Sequence, residues 1–189
     1  MIHISKRRCV GCGICNSECP VGALVVDSDK GYAVVDNSKC LSCGVCIARC
    51  PQRAIADITK SIVFAIGTDD GTFIKQKDHV GSSLSFMIYR YSEGKMVLID
   101  KRNNVKYDED ESETHGDPGK AAAVSDVLSG ADVIVGSIIG PNVKRLRKRF
   151  LPIVVRTDTI ENSLKIITEN MPDISEELSK ENMNALVLS

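Results

Sequence analysis

Cys9-Val10-Gly11-Cys12-Gly13-Ile14-Cys15-Asn16-Ser17-Glu18-Cys19-Pro20 and Cys40-Leu41-Ser42-Cys43-Gly44-Val45-Cys46-Ile47-Ala48-Arg49-Cys50-Pro51 both spell C-x2-C-x2-C-x3-C-P. That spacing wraps thiolates around cubane iron–sulfur clusters, with the fourth cysteine of each run serving the other cluster. Three thiolates at two-residue gaps on a tight loop can meet three irons of one cube. Glycines among them (Gly11 and Gly13; Gly44) let the backbone fold close to inorganic sulfur. The fourth cysteine points away, and the proline after it stops the chain from closing back on its own loop. The reading assigns Cys9, Cys12, Cys15 and Cys50 to one [4Fe-4S] cluster, and Cys19, Cys40, Cys43 and Cys46 to a second.

The offset of 31 residues that carries Cys9 to Cys40 also carries Cys19 to Cys50, Pro20 to Pro51, Ala23 to Ala54 and Leu24 to Ile55. Two halves this alike are expected to pack as a pseudo-two-fold pair. The sequence here resembles the bacterial-type ferredoxins that carry two [4Fe-4S] clusters, over roughly residues 1–58 and with all eight ligands in place. Zinc sites use cysteines in pairs and need neither a third regularly spaced cysteine nor a following proline. A disulfide framework belongs to secreted miniproteins, and no signal-peptide pattern precedes Cys9. The reading therefore expects a protein kept in a reducing cytoplasm, and exposed clusters suggest an anaerobe.

All eight cysteines lie in the first 50 of 189 residues, an asymmetry that marks a domain boundary. A formal charge of −1 gives no global electrostatic reason to expect nucleic acid or an anionic membrane as partner. The longest apolar run, residues 131–139, is too short to cross a bilayer and contains Asp132.

The first domain, 1–58, is expected to be α+β, with residues 2–4 and 56–58 paired as strands. Val25-Val26-Asp27 and residues 32–35 read as a hairpin turned at Gly31. With so thin a core, the clusters act as staples. His3, Arg7, Arg8 and Arg49 lie near the cluster loops and read as solvated surface charge.

A second domain, 61–171, opens with strands at 62–66, 72–74, 85–91 and 95–101. Asp117-Pro118 starts a helix carrying Ala121, Val124 and Leu128, which Gly130 stops. A buried strand (132–135), a helix opened by Pro141 with the stripe Val143, Leu146 and Phe150, and a strand at 153–155 follow. Asp158 to Glu161 is a capping box for a helix bearing Ile160, Leu164, Ile167 and Met171, which Met171-Pro172 ends. Helices alternating with the last strands require parallel crossovers, so the expected form is α/β with a mixed sheet. Residues 172–189 are expected to be a short helix or tail, and 60–171 to fold alone.

That order, with Gly67 to Gly71, His79-Val80-Gly81, Phe86 to Tyr89 and Gly136-Ser137-Ile138-Ile139-Gly140-Pro141, resembles the dinitrogenase iron–molybdenum cofactor biosynthesis family over roughly residues 61–171. The resemblance implies a ribonuclease H-like domain that carries or processes metal–sulfur clusters. The family's usual His-Phe-Gly is His-Val-Gly here, and its histidine-rich stretch is reduced to His115-Gly116.

The second domain has no cysteine, so a cofactor there must bring its own sulfur and be held by weaker contacts. Candidates are His79, as metal ligand or hydrogen-bond partner, and the loop from Gly136 through Gly140 to Asn142, where a helix N-terminus favours an anion. Lys144, Arg145, Arg147, Lys148 and Arg149 read as a solvated face, and the acidic run from Asp108 to Glu113 as a like-charged loop. With no nucleophile–base pair and no dinucleotide fingerprint, the leading reading is an electron carrier coupled to a metallocluster accessory domain rather than an enzyme. Its expected partners are a redox protein and a metallocluster donor or acceptor. A redox enzyme acting on a small substrate, or a redox-sensing interaction module, is the alternative.

Overall fold

The repeat of 31 residues is written into the backbone as well as into the cysteines. In this computed structural model, Gly11, Gly13 and Gly22 adopt φ of 64°, 80° and 61°, and Ser42, Gly44 and Arg53, each 31 positions on, adopt 51°, 77° and 48°. Glycine reaches that left-handed region at little cost, whereas serine and arginine are held there by what surrounds them. Gly13 and Gly44 are the N-caps of two short helices, α1 (Ile14–Ser17) and α2 (Val45–Arg49).

The structure describes residues 1–105 and 117–189, so the acidic run Asp108 to Glu113 and His115 lie outside the described residues. The chain forms two units, Met1–Lys60 with Thr168–Glu176, and Ser61–Ile167 with Glu177–Ser189.

In the first unit β1 (Ile2–Ile4) pairs antiparallel with β4 (Ile55–Asp57), and β2 (Leu24–Asp27) with β3 (Tyr32–Val35). The β2–β3 turn is closed by Asp27, whose carboxylate accepts the Asp29 and Lys30 N–H groups, and by Gly31 at φ 72°. The core is small: Ile2, Cys15, Leu24, Ala33, Cys46 and Ile55. Two of those six are thiols, so the core is built around the sulfur atoms.

The second unit is a six-stranded mixed sheet. Its strands are β5 (Ile62–Thr68), β6 (Ser85–Ser92), β7 (Lys95–Asn103), β8 (Val133–Gly136), β9 (Leu151–Val155) and β10 (Leu186–Leu188), ordered β10-β9-β8-β5-β6-β7. β10, β9, β8 and β5 run parallel, β6 pairs antiparallel with β5, and β7 pairs antiparallel with β6. The central strands β5 and β8 are almost wholly apolar and buried, as expected of strands covered on both faces. One face packs Ala65, Phe86, Ile88 and Ile134 against Val124 and Leu128, and against Leu146 and Phe150. Val124 belongs to α3 (Pro118–Val127), capped by Asp117, and Leu146 to α4 (Val143–Leu146).

Three expectations change. Residues 72–74 form no sheet strand but two isolated bridges, because Asp70 accepts the Thr72 and Phe73 N–H groups and Thr68 Oγ donates to the Phe73 carbonyl, which ties the stretch into a turn. The helix after Pro141 spans only Val143–Leu146, although Leu146 and Phe150 are buried as the stripe requires. The helix that Ile160 opens, α5 (Ile160–Glu169), ends just before Met171-Pro172, but Met171 is not on its face: it opens α6 (Met171–Leu178), with Pro172 in the first turn, where its missing N–H costs nothing. No described helix is long and apolar enough to cross a membrane.

Candidate cluster sites and a cationic cleft

The eight cysteines are free thiols that ring two small cavities. One cavity is lined by Cys9, Cys12, Cys15 and Cys50, and the other by Cys19, Cys40, Cys43 and Cys46. Each ring takes three thiols from one loop and the fourth from the other. Cys15 and Cys46 sit in the helices that Gly13 and Gly44 initiate, which turns these thiols inward, where they are buried. Among the described residues no three His, Cys, Asp or Glu side chains converge as a single-ion site.

Backbone N–H groups aim at the sulfurs. Ala23 N lies 3.2 Å from Cys19 Sγ and Ala54 N 3.3 Å from Cys50 Sγ, one contact repeated at the offset of the two halves. Ala33 N donates to Cys9 Sγ at 3.3 Å and Ser42 N to Cys40 Sγ at 3.4 Å. Such bonds favour the thiolate, and the Val21 and Ala23 N–H groups lower the Cys19 pKa. Burial pushes the Cys15 thiol up, and the charges of Cys9, Cys12 and Cys50 push it further. Burial likewise raises Cys46, with Cys40 and Cys43 adding to it against a bond from the Ile47 N–H. Four thiolates thus crowd one another, a repulsion that a cationic metal core removes.

The second unit holds a larger cleft, about 100 Å³ against about 20 and 10 Å³ for the cysteine-lined cavities. It brings together His79, Gly140 and Asn142, with Gly81, Pro141 and Lys120. Gly136 does not line it but shapes it. A Cβ there would lie 2.7 Å from Val80 Cβ, and one at Gly67 would lie 2.6 Å from Val80 Cγ2. The glycines at the ends of β5 and β8 therefore let the turn His79 to Ser83 lie flat on the sheet, fixed by Val80 N donating to Ile138 O at 2.9 Å. At Gly140 a Cβ would meet the His79 ring at 2.8 Å, so Gly140 is the floor on which the imidazole rests.

Backbone amides just outside the loop Gly136 to Asn142 are engaged within the protein. Val143 N donates to Gly140 O at 3.0 Å, and Asp117 takes the Gly119 and Lys120 N–H groups that open α3. Asn142 works as a brace, donating to Asp117 O and accepting from Arg145. The cleft's positive charge comes from a residue that the sequence did not single out. Lys120 Nζ donates to Ser82 Oγ at 3.0 Å, and burial lowers its pKa, partly offset by Asp78. Among the described residues no carboxylate lines the cleft, although Asp78 is near enough to act on Lys120. Nothing in the composition marked Lys120; only its place one turn into a capped helix facing His79 does so.

Two family models match the chain. One, described as a 4Fe-4S dicluster domain, covers residues 8–54, and the chain thus contains an iron–sulfur cluster domain. The other, described as dinitrogenase iron-molybdenum cofactor, covers residues 60–170. The chain belongs to that family. No curated protein matches it. Among solved structures, an adenosine 5'-phosphosulfate reductase in complex with substrate aligns over 61% of this chain and 76% of its own, at 20% identity and a TM-score of 0.28, a likeness too slight to argue from.

Proposed function

We propose that the chain is an iron–sulfur electron-transfer protein whose first unit holds two [4Fe-4S] clusters in pseudo-two-fold halves. The observation that carries this reading is the composition of the two rings, Cys9, Cys12, Cys15 and Cys50 against Cys19, Cys40, Cys43 and Cys46, each a four-thiol donor set of the kind a cubane takes. Clusters of this kind supply one-electron steps. The residues of the chain bring the thiolates together, hydrogen-bond their sulfurs and keep their inner sides from water. Native protein purified anaerobically is expected to carry about eight irons and eight acid-labile sulfides. Cys19→Ala is expected to damage the cluster of Cys40, Cys43 and Cys46, and loss of only the other cluster refutes the crossed assignment.

The second unit is read as a carrier for an anionic metal–sulfur species. Its strand order, β7-β6-β5-β8-β9 with β6 antiparallel to its neighbours, suits a ribonuclease H-like domain. The cleft suits such a cargo because it offers a half-buried ammonium and an imidazole. Partners follow from that chemistry: a redox protein for the first unit and a metallocluster donor or acceptor protein for the second, with no call for nucleic acid or membrane. Titration of the full chain with tetrathiomolybdate tests the cleft. Lys120→Gln and His79→Ala are each expected to weaken binding about tenfold, the effect of losing one charge-assisted hydrogen bond, with the iron content unchanged. Equal affinity in both variants removes the cleft from the reading.

A further inference from the structure

The two cluster loops are alike in their cysteines but are anchored differently just before the first one. In the second half, Asp36 organises its own turn: its carboxylate accepts the Ser38 N–H at 3.0 Å and the Ser38 hydroxyl at 2.5 Å, and pairs with Lys39 at 3.4 Å, directly before Cys40. At the same offset the first half has Ser5 in place of Asp36 and Arg8 in place of Lys39. The backbone turn survives: Arg8 N donates to Ser5 O at 3.3 Å as Lys39 N donates to Asp36 O at 3.2 Å. The carboxylate is gone from the loop.

Asp173 replaces it from 168 residues away in sequence. Its buried carboxylate accepts the Ser5 hydroxyl at 2.6 Å and pairs with Arg8 Nε at 2.6 Å. Arg8 also reaches Glu176 and, at 3.3 Å, the Arg53 carbonyl beside Ala54, whose N–H bonds Cys50 Sγ. Lys6 pairs with Glu169 at 2.6 Å and lies 5.5 Å from the centre of the Tyr32 ring, next to Ala33, whose N–H bonds Cys9 Sγ. Cys9 and Cys50 belong to the same ring. Residues 168–176 thus bear on two of the four thiols of one site. The other ring's corresponding turn is held from within its own half by Asp36, while Asn37 exchanges two 3.0 Å bonds with Ile2 of the first half.

We infer that the segment 168–176 is a positioning element for one cluster alone: Asp173 supplies to the Cys9 loop the carboxylate that Asp36 supplies to the Cys40 loop, so the Cys9–Cys12–Cys15–Cys50 site depends on the C-terminal part of the chain and the other site does not. The inference rests on the proposal that the two rings hold clusters. It goes beyond that proposal in making them unequal, and in giving Arg8 and Asp173 a task at the first site.

The test uses the full chain, purified anaerobically, with iron and sulfide counts and electron paramagnetic resonance of the reduced protein. Asp173→Ala is expected to lose about half of the iron, or to shift the potential and signal of one cluster while the other keeps the wild-type values. The double variant Ser5→Asp with Asp173→Ala restores a carboxylate within the loop, as the second half has it, and is expected to recover the lost cluster. Asp36→Asn is expected to impair the opposite cluster. Equal damage to both clusters in Asp173→Ala, no damage at all, or no recovery in the double variant overturns the inference. Wild-type protein without iron and sulfide overturns the cluster reading beneath it.

Discussion

At the scale of single residues, the first unit separates two demands that glycine meets. Gly13 has φ 80°, and a Cβ there would meet no protein atom within 4 Å, so as far as the protein's own packing goes only its backbone angle matters. Gly11 has φ 64° and a Cβ there would also lie 2.7 Å from the Gly31 carbonyl oxygen, a backbone atom that cannot swing aside. Gly13→Ala is therefore expected to cost about 1–2 kcal/mol, the penalty of a left-handed alanine, and Gly11→Ala clearly more, because the loop must also part from the β2–β3 turn. Anaerobic thermal unfolding of the cluster-loaded protein checks the order, and equal losses remove the close approach from the account. The glycine requirement was legible at positions 11, 13 and 44. Nothing in residue type announced that Ser42 and Arg53 share the same conformation; only the repeat does so, by placing them opposite Gly11 and Gly22.

At the scale of elements, strong signals survived and short ones did not. The Asp117 cap, the buried Val133–Gly136 strand and the Gly31 hairpin follow from chemistry that acts locally. The three residues of β10 are too few to show a period, and they become a strand only because β9 offers a parallel edge. Their approach is held by Glu177, buried, which accepts the Asn184 N–H at 2.6 Å and pairs with Lys180 at 2.6 Å. Burial alone would raise this carboxyl, but the Lys180 and Asn184 contacts outweigh it and hold the pKa below its ordinary 4.5. A depressed pKa contributes stability above the ordinary value and loses it as pH falls through the folded one. Hydrogen exchange at Leu186–Leu188 is thus expected to quicken as pH drops below about 4.5, beyond the intrinsic pH dependence of exchange. Glu177→Gln is expected to exchange faster at neutral pH, by about 1–3 kcal/mol of lost protection, and to show no further acid step. A Glu177→Gln profile that matches the wild type would detach this carboxylate from β10.

At the scale of the whole molecule, the cysteine count put a boundary near residue 60, close to where the two family matches meet. The return of residues 168–176 to the first unit was not legible, because Glu169, Asp173 and Glu176 look like any acids on an amphipathic helix until Ser5, Lys6 and Arg8 are seen against them. The chain is thus not two segments laid end to end, and where it is cut decides what folds. A fragment of residues 61–171 keeps the first five strands of the sheet but lacks β10, which leaves β9 as a bare edge. Four of the five residues of β9 are buried, and Leu188, which would cover it, is itself fully buried. An uncovered apolar parallel strand is a template for association, and burial of one leucine is worth about 1.5–3 kcal/mol. Residues 61–171 are therefore expected to melt lower than residues 61–189 and to form concentration-dependent oligomers, while residues 61–189 stay monomeric at the edge that β10 protects. Thermal melts and size-exclusion chromatography with light scattering, run on both fragments at matched concentrations, decide it. Equal melting temperatures and equal monomer fractions would mean that β10 adds nothing to the sheet, and that the second unit is complete at residue 171.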